Sequence, residues 1–342
     1  METTQTQGTG SEKPSALLDR RICVAPMMDW TDRHCRYLHR LYTPHALLYT
    51  EMIVAKAIVR GDVRQLLDHD ATEHPVALQL GGCDPKELAQ AARIGTAAGY
   101  AEINLNVGCP SDRVKNGSFG ACLMLKPALV ADCVRGLRDG THLPVTVKCR
   151  IGIDDRDDYG FLAAFVDCVA AAGIDALIVH ARTAVLAGLS PKQNREIPPL
   201  KYDHVYRLKR ERPDLTVILN GGISDRAQVC AQLNLGVDGA MLGRAAYHRP
   251  ALLAELEQTL LDPAWLVPEP WQIIERLLPY AKRCAQRGIR LHSITRHMHG
   301  VMAAREGARA WRRFLSEVAA RPEAAPEALF SALPILNQGI AA

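Results

Sequence analysis

Eight short apolar runs rich in β-branched residues, each followed by a helix-like segment, constrain what this chain can fold into more than any other feature. The runs are Ile22–Ala25, Ala46–Thr50, Val76–Leu80, Ala101–Asn106, Pro144–Cys149, Ala176–His180, Leu215–Asn220 and Val237–Leu242. Helical patterns fill the gaps, among them Pro85–Ala98, Pro127–Leu137, Tyr159–Ala172 and Ser224–Leu235. Asp84 before Pro85 and Ser224 before Asp225 supply N-cap chemistry. Strand–helix alternation implies parallel strands. Eight repeats over about 230 residues point to a closed (β/α)8 TIM barrel rather than an open sheet. After Pro250 the strand signals stop. Ala251–Leu261, Trp271–Arg287, Ile289–Arg305 and Ala308–Ala319 read as helices, broken by Pro263, Pro268, Pro270, Gly288 and Gly307. The expected architecture is therefore an α/β chain with a polar, disordered tail over 1–20, a TIM barrel over 21–250 and a helical domain over 251–342.

Charge and cysteine usage narrow the function classes. Between Arg276 and Arg313 there are ten Lys or Arg and one acid, Glu306, while the rest of the chain has thirty-one basic residues against thirty-six acidic. One basic segment on a neutral-to-acidic body points to a polyanionic partner, although a solvated helix face would look similar. Ten cysteines are thinly spread without any C-x-x-C pair. No structural zinc or other metal site is expected, and the thiols suit a reducing, cytoplasmic compartment. No apolar run approaches the roughly 18 residues of a membrane span, and the first twenty residues do not resemble a secretory signal.

Barrels of this class place their chemistry where strands end. The strand ends read Pro26-Met27-Met28, then Gln79, Asn104 with Asn106, Lys148, His180, Asn220-Gly221-Gly222 and Gly243-Arg244. Each has a bland alternative as a loop cap, a solvated lysine or a satisfied histidine; together they describe a polar pocket above an apolar barrel. Glycines after the seventh and eighth strands let backbone N–H groups approach an anion, and Arg244 adds charge-assisted bonds. A phosphorylated ligand is expected there. With no G-x-G-x-x-G after a strand, flavin mononucleotide (FMN) fits better than a Rossmann-bound nicotinamide. Cys109, between Gly108 and Pro110 just past the fourth strand, is either a buried structural thiol or an acid facing the pocket mouth. An ordinary thiol, with a pKa of about 8.5, is mostly protonated at neutral pH and can donate its proton.

The stretches APMMDWTDRHCR (25–36), LYTEM (48–52), HPVALQLGG (74–82), EINLNVGCPSDRV (102–114), PVTVKCRIGID (144–154), HAR (180–182), GLSPKQNREIPPL (188–200) and NGGI (220–223) resemble the tRNA-dihydrouridine synthases. GLSP-K-x-N-R and the later RHMHG…GARAWRR are similar to the A subfamily, which acts on the tRNA D-loop at positions 20 and 20a. The resemblance runs from about Arg21 to Leu315. It implies a flavin-binding TIM barrel with a C-terminal helical domain, FMN held tightly, and NADPH as passing electron donor. It places FMN contacts on Pro26, Met27, Met28, Gln79, Lys148, His180, Asn220, Gly221, Gly222, Gly243 and Arg244. Hydride would pass from flavin N5 to uracil C6, and Cys109 would protonate C5, with the base out of its stack. Asn106 would contact that base, and Lys192, Arg195, Arg309 and Arg312 would bind tRNA. Thr183 and Cys149 depart from the related pattern, the first where related sequences often carry Lys. The expected enzyme is a monomer without membrane contact. Two rivals stay open: an FMN barrel reducing a small molecule such as free pyrimidine, and a non-enzymatic RNA-binding protein.

Overall fold

The computed structural model describes residues 18–111 and 119–336. Nine strands follow in order: β1 (Ile22–Val24), β2 (Leu47–Tyr49), β3 (Ile53–Val54), β4 (Val76–Gly81), β5 (Glu102–Val107), β6 (Val145–Arg150), β7 (Ala176–His180), β8 (Thr216–Asn220) and β9 (Gly239–Leu242). All pairings are parallel, and the β1–β9, β1–β2 and β2–β4 contacts close the sheet on itself. β2 pairs with the first half of β4 (Leu48 with Val76) and β3 with the second (Ile53 with Leu80). The two together make one stave of an eight-staved barrel, as the eight sequence runs require.

Pleating sends alternate residues inward. On β1, β2 and β7–β9 the inward set below the rim is apolar: Cys23, Ala25, Leu47, Tyr49, Ala176, Ile178, Ile218 and Met241 cluster apart from the larger core between barrel and helices. On β4–β6 it is mostly polar, with Gln79, Glu102, Asn104, Asn106 and Thr146 all buried. The expected apolar barrel beneath a polar pocket holds on β1, β2 and β7–β9 but not on β4–β6. Polar side chains run down one wall to Glu102, tolerated because each finds a hydrogen-bond partner.

The helices between strands form where expected, including Pro85–Ala97, Pro127–Gly140, Tyr159–Ala170 and Arg226–Asn234. Asp84 caps the first by accepting from Lys86 N and Glu87 N. The Arg226–Asn234 helix is capped by Asp225, whose carboxylate accepts from Gln228 N, one residue later than Ser224. The tail expected at 1–20 lies outside the described residues up to position 17.

Beyond the barrel come Ala251–Leu256, Pro270–Gln286, Leu291–Thr295 and Ala308–Glu317. The single helix expected over 289–305 is instead a short helix, a turn and a 3-10 turn at Met298–Gly300. Close packing explains the break: a Cβ on Gly300 would sit 2.4 Å from the His248 carbonyl oxygen, and Arg296 and His297 turn inward to the barrel's Asp32. Arg305 consequently falls outside the Ala308–Glu317 helix, and Arg290 precedes its own. Although spaced i, i+4 and i+7 in the sequence, Arg305, Arg309 and Arg312 do not share one helix, and neither do Arg283, Arg287 and Arg290.

The helical segment is fastened to the Arg33–Arg40 helix and to the loop at 68–74. Tyr280 stacks on Tyr37 with centroids 3.8 Å apart, and its hydroxyl lies 2.7 Å from His34 Nδ1. Ion pairs join Arg283 to Asp70, Arg287 to Asp68 and Arg296 to Asp32. Trp311 is buried and donates to the Met298 carbonyl at 2.8 Å.

Candidate active site

The C-terminal ends of the strands bring the expected residues onto one rim. Lys148 Nζ on β6 donates to Asn220 Oδ1 on β8 at 3.0 Å, and Asn220 Nδ2 is spent on the Met241 carbonyl at 2.8 Å. His180 sits so close to Gly221 that a Cβ there would lie 2.6 Å from its ring; Gly221 and Gly222 have φ of +115° and +72°. Only glycine adopts these backbone angles without strain while clearing His180 and Leu200. Tyr202 holds the turn by donating to the Gly221 carbonyl at 2.5 Å. Gly243 faces Met27, whose sulfur would be 3.4 Å from an added Cβ, so the loops after β1 and β9 adjoin. Pro26 and Met27 are half-buried and Met28 is 51% exposed.

Electrostatically the rim is positive. Burial, and then Arg150, push the Lys148 ammonium down to about 8. Burial, followed by Arg150, Lys148 and Arg182, pushes His180 well below the ordinary range, so its imidazole is neutral at physiological pH. Arg150, 3% exposed, is lowered to about 10, chiefly by burial. Among the described residues its partners are carbonyls and not carboxylates: it donates to Gly108 (3.0 Å), Thr183 (3.0 Å) and Asn194 (2.9 Å). Arg244 pairs with Glu196 at 2.5 Å. A collar of cations with so little countercharge favours an anionic ligand.

Cys109 is partly exposed on the loop after β5. Its backbone N–H donates to Asn106 Oδ1 at 3.0 Å, beside that of Gly108 at 3.1 Å, and its Sγ lies 3.5 Å from Ser111 Oγ. Asn106 also donates to Gln79 Oε1 at 2.8 Å. Its side chain thus anchors the Cys109 loop. Beside Cys109, a groove of about 390 Å³ runs between Pro110-Ser111 and Leu186–Pro191. A larger hollow, about 490 Å³, lies on the outer wall between the Pro85–Ala97 and Pro127–Gly140 helices, away from the strand ends.

Lys192 and Arg195 are exposed on the loop after β7, which is pinned by buried Asn194 through bonds to Val185, Leu189 and Ser190. Arg309 and Arg312 are exposed on the Ala308–Glu317 helix and form no ion pair among the described residues. Sequence reasoning missed Arg150 and Asn194. The alternation Thr146-Lys148-Arg150 on β6 was the available signal for Arg150, since a strand that points Lys148 inward points Arg150 there too.

Comparison with known proteins places the chain among relatives of one kind. The chain is 55% identical over 314 residues to the tRNA-dihydrouridine(20/20a) synthase of Xanthomonas campestris, covering 91% of this chain and 92% of that one. It is 52% identical to the enzyme of that name from Pasteurella multocida, over 92% and 95% of the two chains. With that from Pseudomonas putida it shares 50% identity over 99% of each. Among solved structures, a 2-naphthoyl-CoA reductase complex overlays with a TM-score of 0.52 at 11% identity, over 69% of this chain and 49% of that one, a likeness of fold alone. The family model described as dihydrouridine synthase matches residues 23–334, and the chain belongs to that family.

Proposed function

We propose that this protein reduces the C5=C6 bond of uridine in the tRNA D-loop, at positions 20 and 20a, using FMN and NADPH. The observation that carries the reading is the convergence on one rim of a glycine turn, the Lys148 ammonium and a thiol on an anchored loop. The residues fit a flavin: the cationic collar of Lys148, Arg150 and Arg244 suits a phosphate. Pro26, Met27, Met28, Gln79, Lys148, His180, Asn220, Gly221, Gly222, Gly243 and Arg244 would hold it. Bound flavin, recharged by NADPH, supplies the hydride for uracil C6.

The chain's own residues do the rest. Cys109 Sγ gives its proton to C5, and Ser111 Oγ, 3.5 Å away, accepts from the thiol before that transfer. Asn106 holds the loop that carries the thiol. Neutral His180 can donate or accept a hydrogen bond without adding charge. Lys148 holds a positive charge where electron density accumulates. The base must leave its stack to reach the thiol, with Lys192 and Arg195 beside the groove and Arg309 and Arg312 on the helical segment as phosphate contacts.

No helix among the described residues is long and apolar enough to cross a membrane. We assign the protein to the cytoplasm as a monomer. The reading is tested by the visible spectrum of the purified protein: a yellow protein bleached by NADPH is expected. A colourless protein that takes up no added FMN would refute it. Arg244→Ala should loosen flavin retention, by about 1.5–3 kcal/mol for a lost charge-assisted bond.

A further inference from the structure

Beneath Cys109, five successive hydrogen bonds lead down the barrel wall, and chemistry fixes the direction of every one. Glu102 is fully buried at the foot of β5, and its carboxylate can only accept. Arg20 donates to Oε2 through Nε (3.0 Å) and Nη2 (2.7 Å). The hydroxyls of Tyr49 (2.7 Å) and Thr146 (2.6 Å) donate to Oε1. Having spent its one hydrogen, Thr146 Oγ1 can only accept from the next residue, which obliges Asn104 to present Nδ2, at 2.8 Å. The Asn104 carbonyl then faces Gln79 and accepts from Nε2 at 2.8 Å. The Gln79 carbonyl in turn accepts from Asn106 Nδ2 at 2.8 Å. Asn106 is left with its oxygen pointing outward, where it accepts the backbone N–H groups of Gly108 and Cys109 at 3.1 and 3.0 Å. Three side-chain amides that could each be turned round are thereby locked in one orientation.

We propose that Glu102 is a positioning residue for Cys109, acting by imposing this donor-to-acceptor direction on the chain of hydrogen bonds. The proposal rests on the reading of Cys109 as proton donor. Were the chain reversed, Asn106 would turn its NH2 group toward two backbone N–H donors, and the loop carrying the thiol would lose its anchor. Arg20 makes reversal the expected result of Glu102→Gln. The guanidinium draws the new amide oxygen to itself, so the amide nitrogen faces Tyr49 and Thr146. The Thr146 hydroxyl must then accept from it and donate onward, and each amide above turns over.

The test measures single-turnover reduction of tRNA by holoenzyme whose flavin has been reduced beforehand with NADPH. Thr146→Val keeps the side-chain shape but removes the hydroxyl, whereas Thr146→Ser retains it. Thr146→Val and Glu102→Gln are expected to slow the tRNA step about tenfold or more, up to the roughly 10²–10⁴-fold of a lost general acid, with tRNA affinity unchanged. Thr146→Ser should stay within about twofold of the parent. In a Cys109→Ala background, Thr146→Val should add nothing, because its effect runs through the thiol. If Glu102→Gln fails to fold, the threonine series decides. A parental rate for Thr146→Val overturns the proposal. So does an equal loss for Thr146→Ser, or an undiminished effect of Thr146→Val in the Cys109→Ala background. A parental rate for Cys109→Ala alone would instead sink the donor role itself, and the proposal with it.

Discussion

Lys148 shows how a single residue carries both a cost and a function. Its ammonium is drawn in from water, has a neutral amide as its hydrogen-bond partner and faces Arg150, so its pKa falls from 10.5 to about 8. The unfolded chain therefore binds the extra proton between about pH 8 and 10.5. Through this group alone, stability rises with pH across that window, and below it the cost of the buried charge is fully borne. In the flavin-free protein, acylation of Lys148 should show a midpoint near pH 8; a midpoint at the ordinary lysine value would contradict this account of the rim. Lys148→Met should raise the melting temperature of the flavin-free protein while weakening flavin retention, a trade-off typical of strained functional sites. The role of Lys148 was legible from its place at a strand end. That of Asn106 was legible only in part: its position could be read, but the two backbone N–H groups it accepts come from a loop whose path no local pattern specifies.

Among the elements, the Arg33–Arg40 helix couples the rim to the helical segment. Asp32 caps it, accepting from His34 N and Cys35 N, and also meets Arg296 at 2.5 Å and His297 at 3.0 Å. Burial alone would raise this carboxyl, but His297, Cys35 N and Arg296 hold it well below the usual carboxylate range. Its folded pKa is thus depressed, so the stability it contributes is present above the unfolded value near 3.8 and is lost as pH falls below it. Asp32→Ala removes a cap worth about 1 kcal/mol and leaves Arg296 unpaired. A fall in melting temperature of several degrees is expected, shrinking as pH drops below about 4; an unchanged melting temperature at neutral pH would count against this coupling. The strands and their order were legible because eight apolar runs alternating with helical segments admit few closures. The break within 289–305 was not, since it answers to Gly300 against His248 and to Asp32, contacts with residues far away in sequence.

At the scale of the molecule, the basic block divides into two groups. Arg283, Arg287, Arg296 and Arg305 are committed to Asp70, Asp68, Asp32 and Glu269. Arg309 and Arg312 remain exposed and without ion pairs among the described residues. The charge excess visible in the sequence thus overstates the surface left for a polyanion, because folding spends part of it on docking the helical segment. Arg309→Ala with Arg312→Ala should weaken tRNA binding and flatten its salt dependence, by about 0.7–0.9 in log slope per lost phosphate contact. Arg283→Ala with Arg287→Ala should leave that slope alone and cost stability instead, about 1 kcal/mol or less for each exposed pair. An unchanged affinity and slope for the first pair would move the RNA to the rim near Lys192 and Arg195.

The central claim is that this barrel reduces a D-loop uridine and that Cys109 delivers the proton. Unmodified tRNA, incubated with the purified protein, FMN and NADPH, can be digested and its D-loop fragment weighed by mass spectrometry. The account predicts that the fragment gains the mass of two hydrogens with the parent protein. With Cys109→Ala the gain should slow by about 10²–10⁴-fold, although NADPH still bleaches the flavin of that variant. A fragment that keeps its mass with the parent protein, or gains it equally fast with Cys109→Ala, would contradict the account.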